Sequence, residues 1–233
     1  MKRIYQNFDK LEVSFQCAFP EDVLRTLDHA KKEAMASKEK ALAFLGKDLI
    51  KVHVYEAGVR GGYAYVFSTG PDGEIWHVAK SQDTTRFNCA VMVSSMGLAL
   101  HGYEVSKARI YELFDRLGVK APNAIDPSTR KPYILPVESI RRFDYCIDFI
   151  ADNFSPSTDN FVCKRSKKRS ERGGVGHEYF LEENGKRVET ITIGKIPNKQ
   201  VSIYNKGVEV KAKPLEKSFW WDVWGLEKSS FDK

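Results

Sequence analysis

The sequence has no cysteine pair at Cys-x-x-Cys spacing: its four cysteines, Cys17, Cys89, Cys146 and Cys163, are scattered along 233 residues. That excludes a clustered thiolate zinc site and a disulfide framework. No stretch approaches the roughly 20 consecutive apolar residues of a membrane span, and Met-Lys-Arg-Ile-Tyr-Gln at the start lacks the apolar run of a secretory signal. The reading is a protein of the reducing cytoplasm with no membrane association. Also missing is a Gly-x-x-x-x-Gly-Lys-Ser/Thr phosphate loop, which excludes a nucleotide-driven motor of that kind. There is no low-complexity tract. His29, His53, His77 and His101 recur every 24 residues, but their flanks differ, so no true repeat is read from them.

What is present is a globular composition, 42% hydrophobic, carrying a net charge of +6. The positive charge is not spread evenly. Residues 163–172 hold six cations and one anion, which leaves the rest of the chain nearly neutral and points to a polyanionic partner. In an unrelated protein such a run is a solvated loop. Here it reads as an arm on a DNA backbone, through Lys164, Arg165, Lys167, Lys168, Arg169 and Arg172, giving salt-dependent affinity without sequence preference.

Periodicity organises the remainder. Leu11–Phe15 alternates as a first strand, and Pro20-Glu-Asp opens a helix that is expected to run to about Gly46, with a break inside it allowed. Four short apolar runs, Ile50–Tyr55, Tyr63–Ser68, Ile75–Ala79 and Ala90–Ser94, are separated by turn residues and predict an antiparallel meander. Ser106–Leu117 places Ile110, Leu113, Phe114 and Leu117 on one helical face, with Gly118 as the stop. Four prolines mark 121–136 as a loop, and strands are expected at Ile140–Ile150, Glu189–Gly194 and Gln200–Asn205. The fold class expected is α+β, an antiparallel sheet with helices on one face and ferredoxin-like elements. Its sub-parts are placed at about 1–120 and 137–233 of one domain.

Two constellations bear chemistry. In Arg141-Arg-Phe-Asp-Tyr-Cys-Ile-Asp-Phe149, period two puts Phe143, Tyr145, Ile147 and Phe149 on one face and Asp144, Cys146 and Asp148 on the other. The bland reading is a solvated sheet face. Aspartate is depleted in strands, however, and a pair beside a strong apolar stripe suits a hard cation. About 13 Å separates the two Cα atoms at strand rise, so one ion does not take both carboxylates without a bulge. Further on, Ser202, Tyr204 and Lys206 share a face opposite Val201 and Ile203, with Glu209 shortly after. A phenol needs cationic or metal help to act as a nucleophile at neutral pH, although such a tyrosine is more often an amphipathic surface residue. Trp220, Trp221 and Trp224 form a cluster that suits core packing, with stacking on melted bases as the alternative.

These residues resemble the Rep_trans-type replication initiation factors of rolling-circle plasmids, phages and integrative elements. Ile-Arg-Arg-Phe-Asp-Tyr-Cys-Ile-Asp (140–148) looks like the family's Arg-x-Asp-x-x-x-Asp strand. Ile-Tyr-Asn-Lys-Gly-Val-Glu (203–209) looks like its Ile-Tyr-Asn/Asp-Lys-x-x-Glu segment. The resemblance implies a replication-initiator fold in which Tyr204 is the nucleophile joined to a DNA 5′-phosphate. Asp144, Asp148 and Glu209 would be acidic residues around Mg²⁺ or Mn²⁺, and Lys206 would hold a phosphate oxygen. It also implies a DNA origin as partner, together with a host helicase and polymerase; a homodimer is a candidate assembly. Two departures stand out. The family continues into a strand with Arg-Val-Glu and a helical region, whereas Leu226–Lys233 reads as a truncation. The two-histidine signature of the wider nickase superfamily is absent from the five histidines. The rival readings are a non-catalytic origin- or operator-binding module and, third, an RNA-binding protein on a ferredoxin-like sheet.

Overall fold

The computed structural model describes residues 1–151, 179–184, 187–194 and 200–226. The chain forms two compact units, Tyr5–Asp148 and a second made of Phe149–Lys233 with Met1–Ile4. In order, the first stretch runs β1 (Lys2–Gln16), α1 (Glu21–Ser37), β2 (Ala41–Leu45), β3 (Ile50–Val54), β4 (Tyr63–Ser68), β5 (Glu74–Ala79), β6 (Cys89–Val93), α2 (Ser95–Leu117) and β7 (Val137–Ile150). These strands form one seven-stranded sheet in the order β2-β3-β4-β5-β6-β1-β7. The α+β class with an antiparallel sheet is therefore as expected.

The meander forms because its strands alternate. In β5, Glu74, Trp76 and Val78 are buried while Ile75, His77 and Ala79 are only partly covered, so one face looks into the core and the other away from it. The core face gathers Leu11, Val13 and Phe15 of β1, Val52, Phe67, Trp76 and Val91 of the meander, Leu27 of α1, and Ile110 and Phe114 of α2. Trp76 is fully buried, with Phe67 stacked at 5.8 Å and Phe114 edge-on at 5.3 Å. Buried Asn88 ties the end of β1 to β6: its side-chain amide donates to the Cys17 carbonyl at 2.6 Å and accepts from the Cys17 amide at 3.1 Å.

Two boundaries differ from expectation. The first helix stops at Ser37, because Lys38 turns into the left-handed region at φ 62° and its amide closes on the Ala34 carbonyl. Ala41–Leu45 then pairs antiparallel with Ile50–Val54 as an edge strand. Alanine and lysine favour helix locally, and the pairing to β3 overrides that preference. The second helix begins at Ser95, where the Ser94 hydroxyl caps the Gly97 amide at 3.2 Å. Gly102, at φ 73°, kinks it and breaks the apolar period that would have revealed its first turns. No helix among the described residues is long and apolar enough to cross a membrane.

A side-chain cluster fastens α2 to β7. Glu138 accepts from the Lys107 ammonium at 2.7 Å and from the Tyr111 hydroxyl at 2.5 Å. Burial pushes the Glu138 carboxyl up, but the bonds from Lys107 and Tyr111 outweigh it and hold the group below its ordinary value of 4.5. A carboxylate with a depressed folded pKa adds stability that is fully present above its unfolded pKa and is lost as pH falls through the folded value. Glu138→Gln is thus expected to cost about 1 kcal/mol at pH 7, discounted for partial exposure. The variant loses less stability than the parent chain on acidification below pH 4.5, a difference read from urea midpoints at pH 7 and under acid.

In the second unit, β8 (Tyr179–Asn184), β9 (Arg187–Gly194) and β10 (Gln200–Tyr204) form an antiparallel sheet in the order β10-β9-β8. Three short helices follow, α3 (Lys206–Ala212), α4 (Pro214–Lys217) and α5 (Phe219–Trp224). Val210, Trp220, Trp221 and Trp224 are buried, and Trp220 stacks on Trp224 at 5.7 Å. The tryptophan cluster is packing, as its bland reading held.

Candidate functional site

β7 carries the two aspartates with the expected alternation. Asp144, Cys146 and Asp148 are half-buried, and Phe143, Tyr145 and Ile147 point the other way. The expectation that this apolar stripe lies in a core strand is overturned. Among the described residues β7 is the outermost strand, beside β1, and Phe143, Tyr145 and Ile147 stay 42%, 52% and 47% exposed. An edge strand has a neighbour on one side only, so half of the expected cover is missing. Phe143 finds a partner in Phe8 of β1, stacked at 4.1 Å.

Asp144 is held by the strand's own arginine. Arg142 Nη2 meets its Oδ2 at 2.6 Å, and Nε lies 2.9 Å from both carboxylate oxygens. This fork fixes the carboxylate's orientation. The bond to Asp144 also raises the Arg142 pKa, with Glu12 and Asp9 of β1 contributing charge. The charge of Asp148 is felt by a phenol that the sequence pattern did not single out. Tyr5 is pushed up to about 12, chiefly by burial, with the charges of Cys146, Asp9 and Asp148 adding to it and a bond to Asn7 opposing. Burial thus works against ionising Tyr5. The signal for it was there, since Tyr5-x-Asn7-x-Asp9 places three polar groups at strand spacing.

The second constellation is built by the β9–β10 hairpin. Tyr204 is the last residue of β10, opposite Thr190, and is 39% exposed. Two positions back, the hydroxyls of Ser202 and Thr192 lie 3.1 Å apart. The strand ends here because the Asn205 side chain accepts from the Val208 amide at 3.3 Å and caps α3. Lys206 is therefore not the next residue on Tyr204's strand face, as expected, but the first residue of a helix. Its ammonium sits 3.3 Å from the centre of the Trp220 ring. Glu209, one turn along, faces Lys217 at 3.8 Å. A cation on a buried indole face contributes about 0.5–2 kcal/mol. Lys206→Met is expected to lower the melting temperature by a few degrees while changing DNA cleavage less than about threefold; calorimetry beside a cleavage assay separates a packing role from a phosphate-holding one.

Asp144 and Asp148 belong to the first unit, and Tyr204, Lys206 and Glu209 to the second. Lys164, Arg165, Lys167, Lys168, Arg169 and Arg172 lie outside the described residues. The oxygen donors are of the type Mg²⁺ or Mn²⁺ takes, yet Asp144 is engaged by Arg142 and Glu209 by Lys217. Among the described residues, no three His, Cys, Asp or Glu side chains gather as metal ligands. Binding a cation through Asp144 or Glu209 would mean giving up these ion pairs. No protein-family model, curated protein or solved structure matches this chain.

Proposed function

We propose that the chain is a replication initiator that nicks one DNA strand at an origin, with Tyr204 as the nucleophile. The observation that carries the reading is the placement of Tyr204. Within Ile203-Tyr-Asn-Lys-Gly-Val-Glu209 it closes a strand, is exposed and is followed by a capped turn that fixes its backbone. The antiparallel sheet with helices on one face is compatible with an initiator-like scaffold. The Tyr204 hydroxyl attacks the scissile phosphorus and forms a tyrosyl P–O bond. The P–O3′ bond breaks, the phenolic proton is lost, and the leaving 3′ oxygen gains one to become a hydroxyl. One phosphodiester is exchanged for another, so the reverse attack rejoins the strand. Without a nucleotide-binding motor motif, unwinding and synthesis fall to a host helicase and polymerase.

Incubation with end-labelled single-stranded origin DNA, with Mn²⁺ or with chelator, tests this. A protease-sensitive band shift on a denaturing gel is the expected result, and its metal dependence decides the Mg²⁺ or Mn²⁺ expectation. A second reading, a DNA-binding module without catalysis, is favoured by the occupied state of Asp144, Lys206 and Glu209. It requires binding with no adduct under any condition.

A further inference from the structure

We infer that the helix-free face of the seven-stranded sheet carries a binding site for a phosphate-type oxyanion, held between Arg60 and Arg141 above His77. The site lies wholly within the first unit and does not depend on the cleavage reading.

Strand register builds its floor. His77 of β5 pairs with Ala90 of β6, and Met92 of β6 pairs with Glu12 of β1, so these side chains stand side by side on the face away from the helices. With Arg60, Tyr63 and Arg141 they line a recess of about 230 Å³. That is smaller than the roughly 300–1,000 Å³ of pockets that enclose whole cofactors. The occupant is a small group, or the projecting group of a longer chain.

The walls bring positive charge from two sides. Period two along β7 sends the adjacent arginines to opposite faces. Arg142 is forked to Asp144, whereas Arg141 reaches the recess. Arg60 arrives on a turn that glycine makes possible. The Val59 amide donates to the Tyr63 carbonyl at 3.0 Å. A Cβ on Gly58 would lie 2.4 Å from that same oxygen, and Gly61 and Gly62 take φ of 97° and 88°. The backbone therefore folds back at this point and sets Arg60 at the recess wall. Neither Arg60 nor Arg141 has an ion-pair partner among the described residues, while the one carboxylate present, Glu12, is taken by Lys10 at 2.6 Å.

Two guanidiniums with no ion-pair partner of their own among the described residues, beside a carboxylate already bound to Lys10, are suited to planar, bidentate recognition of phosphate oxygens. His77 completes the set. Burial lowers its pKa; the Glu12 charge opposes this and the Arg141 charge adds to it. At neutral pH the ring is uncharged, so it offers a hydrogen bond to an oxyanion without repelling the arginines.

Two sources supply such a group, a nucleic-acid backbone and free inorganic phosphate or a small phosphate ester. The experiment follows the His77 ring resonances of the full chain by NMR. Inorganic phosphate is titrated first, then a short thymidine oligonucleotide, then the same oligomer with an uncharged methylphosphonate backbone. Phosphate is expected to shift the His77 signals and raise its pKa. Arg60→Gln and Arg141→Gln should each weaken the effect about tenfold, and the double variant should abolish it, while Arg25→Gln on α1 changes nothing. Tighter binding of the oligonucleotide than of phosphate, lost with the methylphosphonate backbone, assigns the site to a nucleic-acid strand; equal or weaker binding assigns it to a free phosphate. No shift with either probe, or shifts that survive in the double variant with its melting temperature unchanged, overturns the inference. Repeating the titration on Tyr204→Phe keeps this outcome separate from failure of the cleavage reading.

Discussion

Tyr204→Phe eliminates the covalent DNA adduct, with a loss of at least about 10³-fold in its rate of formation, and leaves DNA binding unchanged within about twofold. The substitution removes one oxygen from a side chain that is 39% exposed at a strand end, so the fold is expected to change by less than about 0.5 kcal/mol. That separation makes the experiment decisive, because lost adduct cannot be blamed on lost structure. The other tyrosines provide an internal check. Tyr65 and Tyr111 are held above the ordinary phenol range, mainly by burial with nearby carboxylates adding, which makes them poor nucleophiles. Tyr145 is more exposed than Tyr204 and is the rival to watch. An adduct that persists in Tyr204→Phe and maps to Tyr145 would move the nucleophile to the first unit, and absence of any adduct in the parent chain would leave the binding module.

Trp76→Ala is the most damaging core substitution expected. The indole is fully buried between Phe67 and Phe114, and its removal costs about 3–5 kcal/mol in transfer and cavity terms, a large share of a typical domain's net stability. Trp76→Phe should cost clearly less. The indole nitrogen has no hydrogen-bond partner among the described residues, so phenylalanine gives up volume while relieving a buried unsatisfied donor. Denaturant midpoints of the two variants check the ranking; equal losses would mean that the retained phenyl ring adds nothing to packing at this position.

Sequence pattern reached the meander because its strands alternate and its turns contain glycine, proline and aspartate. It reached the core face of α2 through Ile110, Leu113, Phe114 and Leu117. It missed β2, since Ala41–Leu45 becomes a strand through pairing with β3 rather than through its own preference, and it missed β8, Tyr179–Asn184. At the candidate site, the alternation of Asp144 and Asp148 was legible from period two alone. The position of β7 at the sheet edge was not, because local pattern does not encode which strand lies outermost. Lys206 shows a similar limit. Extrapolating the strand by two residues put it beside Tyr204, while one asparagine cap redirects the chain and sends the ammonium to Trp220.

The place of β1 in the sheet sets an order of assembly. Strands β2 to β6 are neighbours in both sequence and space, so each can pair as soon as the next turn closes. β1 is made first yet pairs Leu11 with Val93, about 80 residues later, and the chain entropy of closing so long a loop is met only once the meander offers its free edge. A nascent chain leaving the ribosome therefore carries an unmatched strand, Leu11, Val13 and Phe15 included, through the synthesis of five further strands. Until β6 emerges, that segment is the part of the molecule a chaperone has most reason to hold.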